Sequence, residues 1–515
     1  MSRSISTPYV IALSFLFLFG AIWFTSCEHK PFPVPSVSGN DAYGNYPPEV
    51  GKIIVQRCAE GCHDNANYKN NASLRLDTWE HMFEGANNGA VVVAYQPKFS
   101  SLINFINTDS TNGDPISYPT MPFNENPPYN RPPLTKDEYK TIRNWIAAGA
   151  PDKNGNIPFA SHPESRQKVY MTMQGCNLLA VIDGESKLIM RYINLGAGND
   201  YLPHAVHVDP AGQYVYVSFA SGNNMQKIST TTDQIVSTIN LNPGISSSNP
   251  AAYGWNAFHI SDDGSQVVVS DLSIGKLVSF KTDASEAYPV ITPLHALHGI
   301  ASTPSFDTFY VSSQYGNVIY KIWKGDYTLF TLDGQSPKFT SDSTSTPDPH
   351  EVYMVPGDTT KYFVSCQSTN KVLLVDAITN KVLTSIPVGI KPQEFAVSKS
   401  RHLLFVTCME DISQTGPSWR GSVYAIDYLN PYAAPIRIDG TFFQPHGITV
   451  DDQNGVIYIP SRNVNPNGPA PHHTSSCGGR NGYYQLYDLN TLKPLLNDRH
   501  FEATPDAYSC EVRFK

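Results

Sequence analysis

The chain is poor in charged residues, in basic clusters and in the usual catalytic motifs. Only 16% of its 515 residues are charged, and 36 Lys and Arg against 45 Asp and Glu give a formal net charge of −9. Without a dense basic run, a nucleic-acid partner is not expected. The G-x-S-x-G, Walker A and H-E-x-x-H motifs are missing, and no G-x-G-x-x-G stands in a strand–turn–helix context. These absences argue against serine hydrolases, P-loop enzymes and zinc proteases.

Turn-forming and aromatic residues are plentiful by contrast. The chain has 40 Pro, 35 Gly and 29 Tyr, a profile typical of a turn-rich β protein outside the cytoplasm. One long apolar run, YVIALSFLFLFGAIWF, follows the basic MSRS start, as in a secretory signal. The next residues, FTSC, resemble a lipobox with Cys27 as the lipidated residue. A single transmembrane anchor is the alternative.

This N-terminus predicts a lipoprotein signal peptide over residues 1–27 and a Pro/Ser/Gly tether over 28–48. The expected location is extracytoplasmic, with a lipid anchor in a bacterial outer membrane, facing either the periplasm or the cell surface. The chain has only eight cysteines, and two of them are separated by just three residues.

The neighbouring cysteines stand in QRCAEGCH, where Cys58 and Cys62 are followed by His63. A zinc site would need a second ligand pair, and with Cys27 set aside as the lipidated residue, no further Cys lies within about a hundred residues. A disulfide would close a very small loop and stabilise little. Covalent haem needs two thiols and an imidazole directly after the second, and the segment offers that order with one additional residue between the cysteines.

A c-type haem also needs a sixth ligand, and Met121 in YPTMPF is well placed for this role; the alternative is a core methionine. A helix is predicted after it, because Thr135 and Glu138 form a capping box before one apolar face, and Gly149 ends it. The segments CAEGCHD, SLRLD, YPTMPF and PPLTKDEYKTIRNWIAAGAP together resemble the c-type cytochrome domain of planctomycete-type and Bacteroidetes secreted proteins. The resemblance implies a small all-α domain over residues 49–151, with covalent haem c and axial ligands His63 and Met121.

After a polar linker over residues 152–167, the pattern changes to repeated hairpins. Each repeat has a short apolar strand, a Gly/Asp/Pro/Ser turn and an alternating β-branched and aromatic strand. The repeats recur at roughly 40–65 residues, which is typical of the blades of a β-propeller. They begin at residues 203, 255, 297, 349, 392 and 445.

The two ends of this region predict a seventh blade. Residues 168–195 supply three strands without an inner strand, and SCEVRFK (509–515) supplies an inner strand with nothing after it. The C-terminus is therefore expected to close a seven-bladed all-β propeller over residues 168–515, which removes exposed sheet edges. The repeats resemble YVTN-type propellers, a superfamily that includes the propeller of nitrous oxide reductase.

One register of the predicted inner strands is rich in metal-binding side chains. These residues are expected to face the propeller axis: His204, Asn256, His298, His350, Gln393, His446 and Cys510. Imidazole and thiolate suit copper, zinc or iron. PHG and PHAV are similar to copper-binding segments of the nitrous oxide reductase propeller. The two amides, the thiol and the lack of a following cupredoxin domain favour a mono- or dinuclear site over a four-copper cluster.

Other His and Cys residues are expected on the same face or near it: His207, His259, His295, Cys366, Cys408, His472, His473 and Cys477. Hydrogen bonding is the alternative role for the histidines, since such side chains also bond carbonyls or hold channel water. A Cys477–Cys510 disulfide is another alternative. The five propeller cysteines are an odd number, so at least one is expected to be free.

Two functions stay open at this stage. The first is an exported electron-transfer protein with a redox partner, its haem coupled to an oxidoreductase site in the propeller. The second is a binding or scaffold propeller for a protein or glycan that carries an accessory haem.

Overall fold

The computed structural model describes residues 42–123, 131–196, 200–243, 253–342, 347–465, 468–469 and 477–513. The predicted signal peptide with Cys27, and His472 and His473, lie outside the described residues. Tyr43–Lys515 forms one compact unit. Within the described ranges, no helix is both long enough and apolar enough to cross a bilayer.

The first part of this unit is helical and has its own apolar core. Tyr46, which falls in the predicted tether, belongs to this core: it is buried, and its hydroxyl donates to the carbonyl oxygen of Thr78 at 2.9 Å. The helices are α1 (Pro48–Ile53), the continuing helical stretch Ile54–His63, α2 (Trp79–Met82), α3 (Ser101–Ile106) and α4 (Lys136–Ala147).

The predicted terminal helix is present as α4. Thr135 and Glu138 form the capping box in both directions, and burial falls on Tyr139, Ile142 and the neighbouring Trp145 and Ile146. The reciprocal cap satisfies two backbone N–H groups that would otherwise lack partners. The apolar face therefore packs against the helices that follow the N-terminus, as the pattern indicated.

All strands lie in the second part of the unit. The first fourteen are β1 (Lys168–Met173), β2 (Leu178–Asp183), β3 (Ile189–Asn194), β4 (Tyr201–Val208), β5 (Tyr214–Ser221), β6 (Asn224–Ser229), β7 (Gln234–Asn240), β8 (Trp255–Ile260), β9 (Gln266–Asp271), β10 (Leu277–Lys281), β11 (Tyr288–Ile291), β12 (Leu297–Ser302), β13 (Thr308–Ser313) and β14 (Val318–Trp323). The others are β15 (Asp326–Thr331), β16 (Pro349–Val355), β17 (Asp358–Cys366), β18 (Lys371–Asp376), β19 (Lys381–Pro387), β20 (Pro392–Ser398), β21 (Leu403–Ile412), β22 (Arg420–Asp427), β23 (Ile436–Ile438), β24 (Thr449–Asp451), β25 (Val456–Ser461), β26 (Asn481–Asp488), β27 (Phe501–Pro505) and β28 (Ala507–Val512).

These strands form seven four-stranded antiparallel sheets, which are the blades of a propeller. Blade 1 has the order β28-β1-β2-β3, and blades 2 to 7 take the following strands in groups of four. The innermost strands contact one another in a closed ring, β28-β4-β8-β12-β16-β20-β24 and back to β28. The predicted fold class is confirmed: a small helical region precedes a seven-bladed propeller that the C-terminal strand closes.

A disulfide adds a second link between the two ends of the ring. Cys176, between β1 and β2, is bonded to Cys477, which precedes β26, across 301 residues of chain. The alternative of a Cys477–Cys510 disulfide is therefore wrong. Cys510 is a free, buried thiol in β28.

The inner strands of blades 1 to 6 are bulged near their starts. In blade 2 the pairing shifts between Pro203 and Val206, and in blade 4 between Leu297 and Ile300. Blades 1, 3, 5 and 6 shift at the corresponding place. A bulge adds one residue to a strand, breaks the inside–outside alternation and re-aims a side chain. In blades 2 to 6 the bulge contains the residue that was predicted to face the axis.

The helical part packs against the outermost strands of blades 1 and 7. Gln96 makes two hydrogen bonds to the backbone of Tyr192 in β3, both 2.7 Å long. On the other side, the N–H of Glu502 in β27 donates to the carbonyl of Asn88 at 2.9 Å. The ring of Phe99 lies 4.9 Å from that of Tyr192. These contacts hold the helical part against the propeller rim, so that the rim forms one wall of the space between them.

Candidate functional site: a cavity and an axial histidine cluster

A cavity of about 680 Å³ lies between the helical part and the propeller rim. Its volume is within the range of small-molecule and cofactor sites. All four residues that the sequence predicted as haem ligands or attachment points line it: Cys58, Cys62, His63 and Met121. The fold therefore brings the CAEGCH and YPTMPF segments to one space, although almost sixty residues separate them.

The additional residue between the two cysteines is accommodated by a local break in the helix. Glu60 and Gly61 leave the helical conformation, with Gly61 at a φ of 74°, and both are exposed. Cys58 stays on the buried side, where burial raises the pKa of its thiol to about 12. The break therefore accommodates the additional residue, and both cysteines still line the cavity.

Arg131 holds this break in place, a role that the sequence reasoning missed. Its guanidinium donates to the carbonyl oxygens of Gln56 at 3.2 Å, Arg57 at 3.1 Å and Glu60 at 2.6 Å. These carbonyls are near the end of the helical stretch, where no backbone N–H is left to satisfy them. A cationic donor in the loop after the methionine is the only sequence signal that could have indicated it.

His63 is oriented by one hydrogen bond. Its Nδ1 lies 3.1 Å from the carbonyl oxygen of Leu74, so that nitrogen donates and Nε2 is left as the free ligand atom. Burial lowers the pKa of His63, and the bond to Leu74 opposes the shift. The ring is thus neutral at physiological pH, which is the form that binds a metal.

Met121 reaches the cavity from a proline-rich loop. Its backbone N–H donates to the carbonyl of Phe105 at 2.7 Å, and its half-buried side chain packs on the helical core. The side chain therefore both touches the helical core and lines the cavity.

A second set of functional side chains meets at the propeller axis. His204, His298, His350 and His446 are at most 7% exposed. The ring centroids of His298 and His350 lie 4.1 Å apart, and those of His350 and His446 5.5 Å apart. His204 lies 5.9 Å from His298 and 6.3 Å from His446. The four predicted histidines therefore do converge. With Tyr508 they form what we call the axial cluster.

Tyr508, and not Cys510, is the residue that blade 1 contributes to this cluster. The Tyr508 ring lies 3.8 Å from that of His446 and 4.4 Å from that of His204. Cys510 instead packs in the apolar core with Met171 and Tyr458. Its predicted place at the axis is wrong, because β28 begins at Ala507, two residues before the predicted start. Tyr508 therefore takes the position that His350 holds in blade 5, and Cys510 takes that of Val352.

The histidines differ in how their ring nitrogens are engaged. His204 uses both: Nδ1 is 2.8 Å from Gln174 Nε2, and Nε2 is 3.3 Å from the Tyr508 hydroxyl. His298 Nδ1 donates to the carbonyl oxygen of His350 at 3.3 Å. Among the residues that the structure describes, the buried Nδ1 of His350 has no hydrogen-bond partner. Hydrogen bonding, the alternative role, therefore accounts for His204 and leaves His350 unexplained.

Burial keeps these histidines neutral. It lowers the pKa of His298 to about 3, with a further contribution from His446, and it also lowers the pKa values of the other three. The cation of Arg462, which is ion-paired with Asp506, adds to the shifts at His204 and His446. Desolvation disfavours the charged imidazole in each case.

A carboxyl pair that the sequence reasoning missed lies beside the cluster. Burial raises the pKa of Glu351 to about 8 and that of Glu394 to about 7, and Glu394 adds to the shift of Glu351. Glu394 accepts from Ser509 Oγ at 3.0 Å and lies 3.3 Å from His446 Nδ1. The signal was available: both acids directly follow the predicted axial residue, in PHEV and PQEF.

The remaining predicted residues have ordinary partners. His207 Nδ1 contacts Glu511 at 2.7 Å, and His295 Nδ1 lies 3.1 Å from Ser313 Oγ. His259 packs 6.2 Å from the Phe306 ring. Cys366 and Cys408 share a register as expected, but both are fully buried in the propeller core.

The comparison with protein families concerns the first of these two sites. Residues 58–114 match the family model described as Planctomycete cytochrome C. The match includes Cys58, Cys62 and His63 and ends before Met121. The helical part is therefore a cytochrome c-like domain, and we use that name for it below. No curated protein sequence matches the chain.

Solved structures resemble the chain over its larger part at low identity. Hydrazine synthase from Kuenenia stuttgartiensis is 14% identical, with 60% of this chain and 88% of that chain covered and a TM-score of 0.44. A functionally unknown protein from Desulfotomaculum acetoxidans is 13% identical, with coverages of 66% and 100% and a TM-score of 0.44. A protein of unknown function from Bacteroides caccae is 12% identical, with coverages of 68% and 100% and a TM-score of 0.39. At these scores the likenesses carry no conclusion about activity.

Proposed function

We propose that the chain is an exported electron-transfer protein whose cytochrome c-like domain binds haem c through Cys58 and Cys62. The supporting observation is the cavity of about 680 Å³, which has both cysteines, His63 and Met121 on its wall. Haem c would supply a one-electron redox centre at this position.

The donor set suits that group. Thioether attachment uses two thiols on one side of the cavity, and both cysteines are free. His63 presents Nε2, since Nδ1 is held by the Leu74 carbonyl. Apolar side chains cover much of the remaining wall, among them Leu102, Ile106 and Phe105, as a macrocycle with an apolar face requires.

With Met121 as the second axial ligand, no coordination position would be left for a substrate. The domain would then relay electrons and carry out no substrate chemistry of its own. A thioether ligand also raises the reduction potential relative to a second imidazole. This places Met121 in the role of tuning the electron carrier.

The propeller offers a short route from the cavity to the axial cluster. Glu502, Ala503 and Thr504 of β27 line the cavity, and Tyr508 of the cluster is only four residues further along the chain. Four extended residues span at most about 14 Å. The two sites are thus near enough for electrons to pass between them, which favours an oxidoreductase that couples the cytochrome c-like domain to chemistry at the axis.

The cellular setting belongs to the same proposal. A lipid anchor on Cys27 would hold the protein at a bacterial outer membrane, where a redox partner protein would exchange electrons with the cytochrome c-like domain. The assignment of the propeller to the YVTN type, with nitrous oxide reductase as a distant relative, rests on the repeat pattern alone.

The test is the pyridine haemochrome spectrum of the full chain after expression with a c-type maturation system. We expect a c-type spectrum, with haem that acidic acetone does not extract. The double variant Cys58→Ser/Cys62→Ser should lose this haem. The matched control Cys176→Ser/Cys477→Ser, which also removes two cysteines, should keep it. A wild-type protein without a c-type spectrum would refute the proposal.

A further inference from the structure

The strongest unexplained feature outside the haem cavity is a three-residue group within the axial region. One possible ligand atom from each of His298, His350 and Glu351 lies within 4.8 Å of the others. His298 is on β12 of blade 4, and the other two are on β16 of blade 5. Bonds of about 2 Å to a common ion place ligand atoms about 3–4 Å apart, so these three side chains would need to draw together only slightly to share one ion.

We propose that His298, His350 and Glu351 bind one divalent first-row transition metal ion. Two imidazoles and one carboxylate are a ligand set used for zinc and for non-haem iron(II), and such sites keep coordination positions open for water or a substrate. The inference does not depend on haem in the cytochrome c-like domain.

The hydrogen bonds set His204 apart from the other three histidines. His446 Nδ1, like His350 Nδ1, has no hydrogen-bond partner among the described residues, but it lies 3.3 Å from a Glu394 carboxyl oxygen. His298 donates from Nδ1 to a backbone carbonyl, which is the arrangement that orients a metal-ligating imidazole with Nε2 free. His350 is 3% exposed, and its Nδ1 has no protein partner. A buried polar atom without a partner costs free energy unless something unseen satisfies it. His204, with both nitrogens engaged, is not available in the same way.

The charged side chains around the axial cluster also affect where a metal ion can bind. Arg462 stacks over the Tyr508 ring at 4.6 Å and adds positive charge near His204 and His446. Glu351 belongs to the ligand group, and Glu394 is near enough to perturb it electrostatically. The Arg462 cation therefore disfavours a metal ion beside His204 and His446. The ligand set accordingly differs from the four histidines and one cysteine that the sequence indicated.

The bulges explain why the fold can build such a group. Pairing shifts between Pro349 and Val352 in β16, as it does in β12. The additional residue turns two consecutive side chains, His350 and Glu351, toward the same region. Gly299 is the residue of β12 that corresponds to Glu351. Any side chain at position 299 would clash with blade 5, since an added Cβ would lie 2.4 Å from the carbonyl oxygen of His350. Glycine thus leaves room for the ligands of blade 5.

The experiment uses the full chain, stripped with a chelator and dialysed against Zn²⁺ or Co²⁺. Elemental analysis should then find about one zinc or cobalt per chain, separately from iron. Co²⁺ should also give visible d–d bands. Glu351→Gln, which keeps the shape of the side chain, and His350→Ala should each weaken binding by roughly 100-fold or more, at the upper end of what loss of a supporting contact costs.

Two controls separate this site from other histidines. His402→Ala removes an exposed histidine and should leave binding unchanged. His472→Ala/His473→Ala removes the neighbouring pair of histidines in the long insertion and should also leave it unchanged. Absence of bound metal in the wild-type chain would overturn the proposal, as would binding that survives in both Glu351→Gln and His350→Ala. Circular dichroism of each variant checks folding. The metal content of the wild-type chain after dialysis still tests the proposal where a variant fails to fold.

Discussion

At the scale of single residues, both candidate sites orient a histidine in the same way. His63 in the cavity and His298 at the axis each donate from Nδ1 to a backbone carbonyl, which leaves Nε2 free. Burial lowers the pKa of each ring, so both are neutral and able to bind a metal. In both cases a main-chain oxygen, which sequence patterns do not specify, decides which nitrogen is available.

Met121 gives the first test at this scale. In Met121→Ala, ferric protein should lose the weak far-red absorption band that a methionine-ligated haem shows, because the thioether sulfur is removed. Met354→Ala, which alters a half-buried methionine of the propeller, should keep the band. If the band persists in Met121→Ala, this residue is a core methionine and the sixth ligand is another group.

His259 gives a pH-dependent test. Burial lowers its pKa from 6.5 to about 4. Between these values the unfolded chain binds a proton that the folded chain excludes, so the free energy of unfolding falls as the pH is lowered. His259→Gln should reduce the loss of stability between pH 7 and 4.5 by roughly 2 kcal/mol.

Urea unfolding at the two pH values measures this difference. The exposed His402→Gln serves as the control and should follow the wild-type dependence. An unchanged pH dependence in His259→Gln would show that the ring is protonated in the folded protein.

At the scale of elements, irregular backbone positions the chemistry in both parts of the molecule. The break at Glu60 and Gly61 absorbs the third residue between the cysteines. The bulges of the inner strands aim the axial side chains. Neither the helix break nor the bulges follow the period of a helix or a strand, so the apolar pattern of the sequence predicts neither of them.

Gly61 is the position where this irregularity can be tested. At a φ of 74°, a residue with a Cβ costs about 1–2 kcal/mol. The nearest atom to an added Cβ is Arg131 Nη2 at 3.8 Å, so the cost is conformational and not steric. Gly61→Ala should lower the unfolding midpoint of the cytochrome c-like domain, measured by calorimetry, while the exposed Glu60→Ala should not. Equal midpoints would mean that the left-handed turn is not required.

The disulfide between Cys176 and Cys477 is the second element to test. It closes a loop of 301 residues and is expected to contribute about 2–4 kcal/mol. Cys176→Ala/Cys477→Ala should therefore unfold at a lower urea concentration than the wild type. Reductant should lower the wild-type midpoint and leave that of the double variant unchanged; a wild type insensitive to reductant would contradict this.

The regular part of the fold was predictable from sequence, and the irregular part was not. The hairpin repeats, the capping box at Thr135 and the closure by the C-terminal strand all follow from local patterns. The mistaken place of Cys510 came from starting the last inner strand at Ser509, whereas β28 starts two residues earlier, at Ala507. Arg131 and the Cys176 partner of Cys477 were missed because both depend on contacts between distant segments.

At the scale of the whole molecule, the cytochrome c-like domain is joined to the propeller through the propeller rim. Gln96, Phe99 and Glu502 make the contacts between them. The oxidoreductase hypothesis and the scaffold hypothesis share this arrangement and the haem. They differ in the axial metal, so a metal inventory that finds one iron per haem and no further metal would favour the scaffold.

The central claim is covalent haem on the cytochrome c-like domain, and mass spectrometry of the mature chain tests it most directly. After proteolysis, the peptide that contains Cys58 and Cys62 should carry the mass of one haem, added without loss of either sulfur. The same peptide with two unmodified thiols, from a host that matures other c-type cytochromes, would contradict the account.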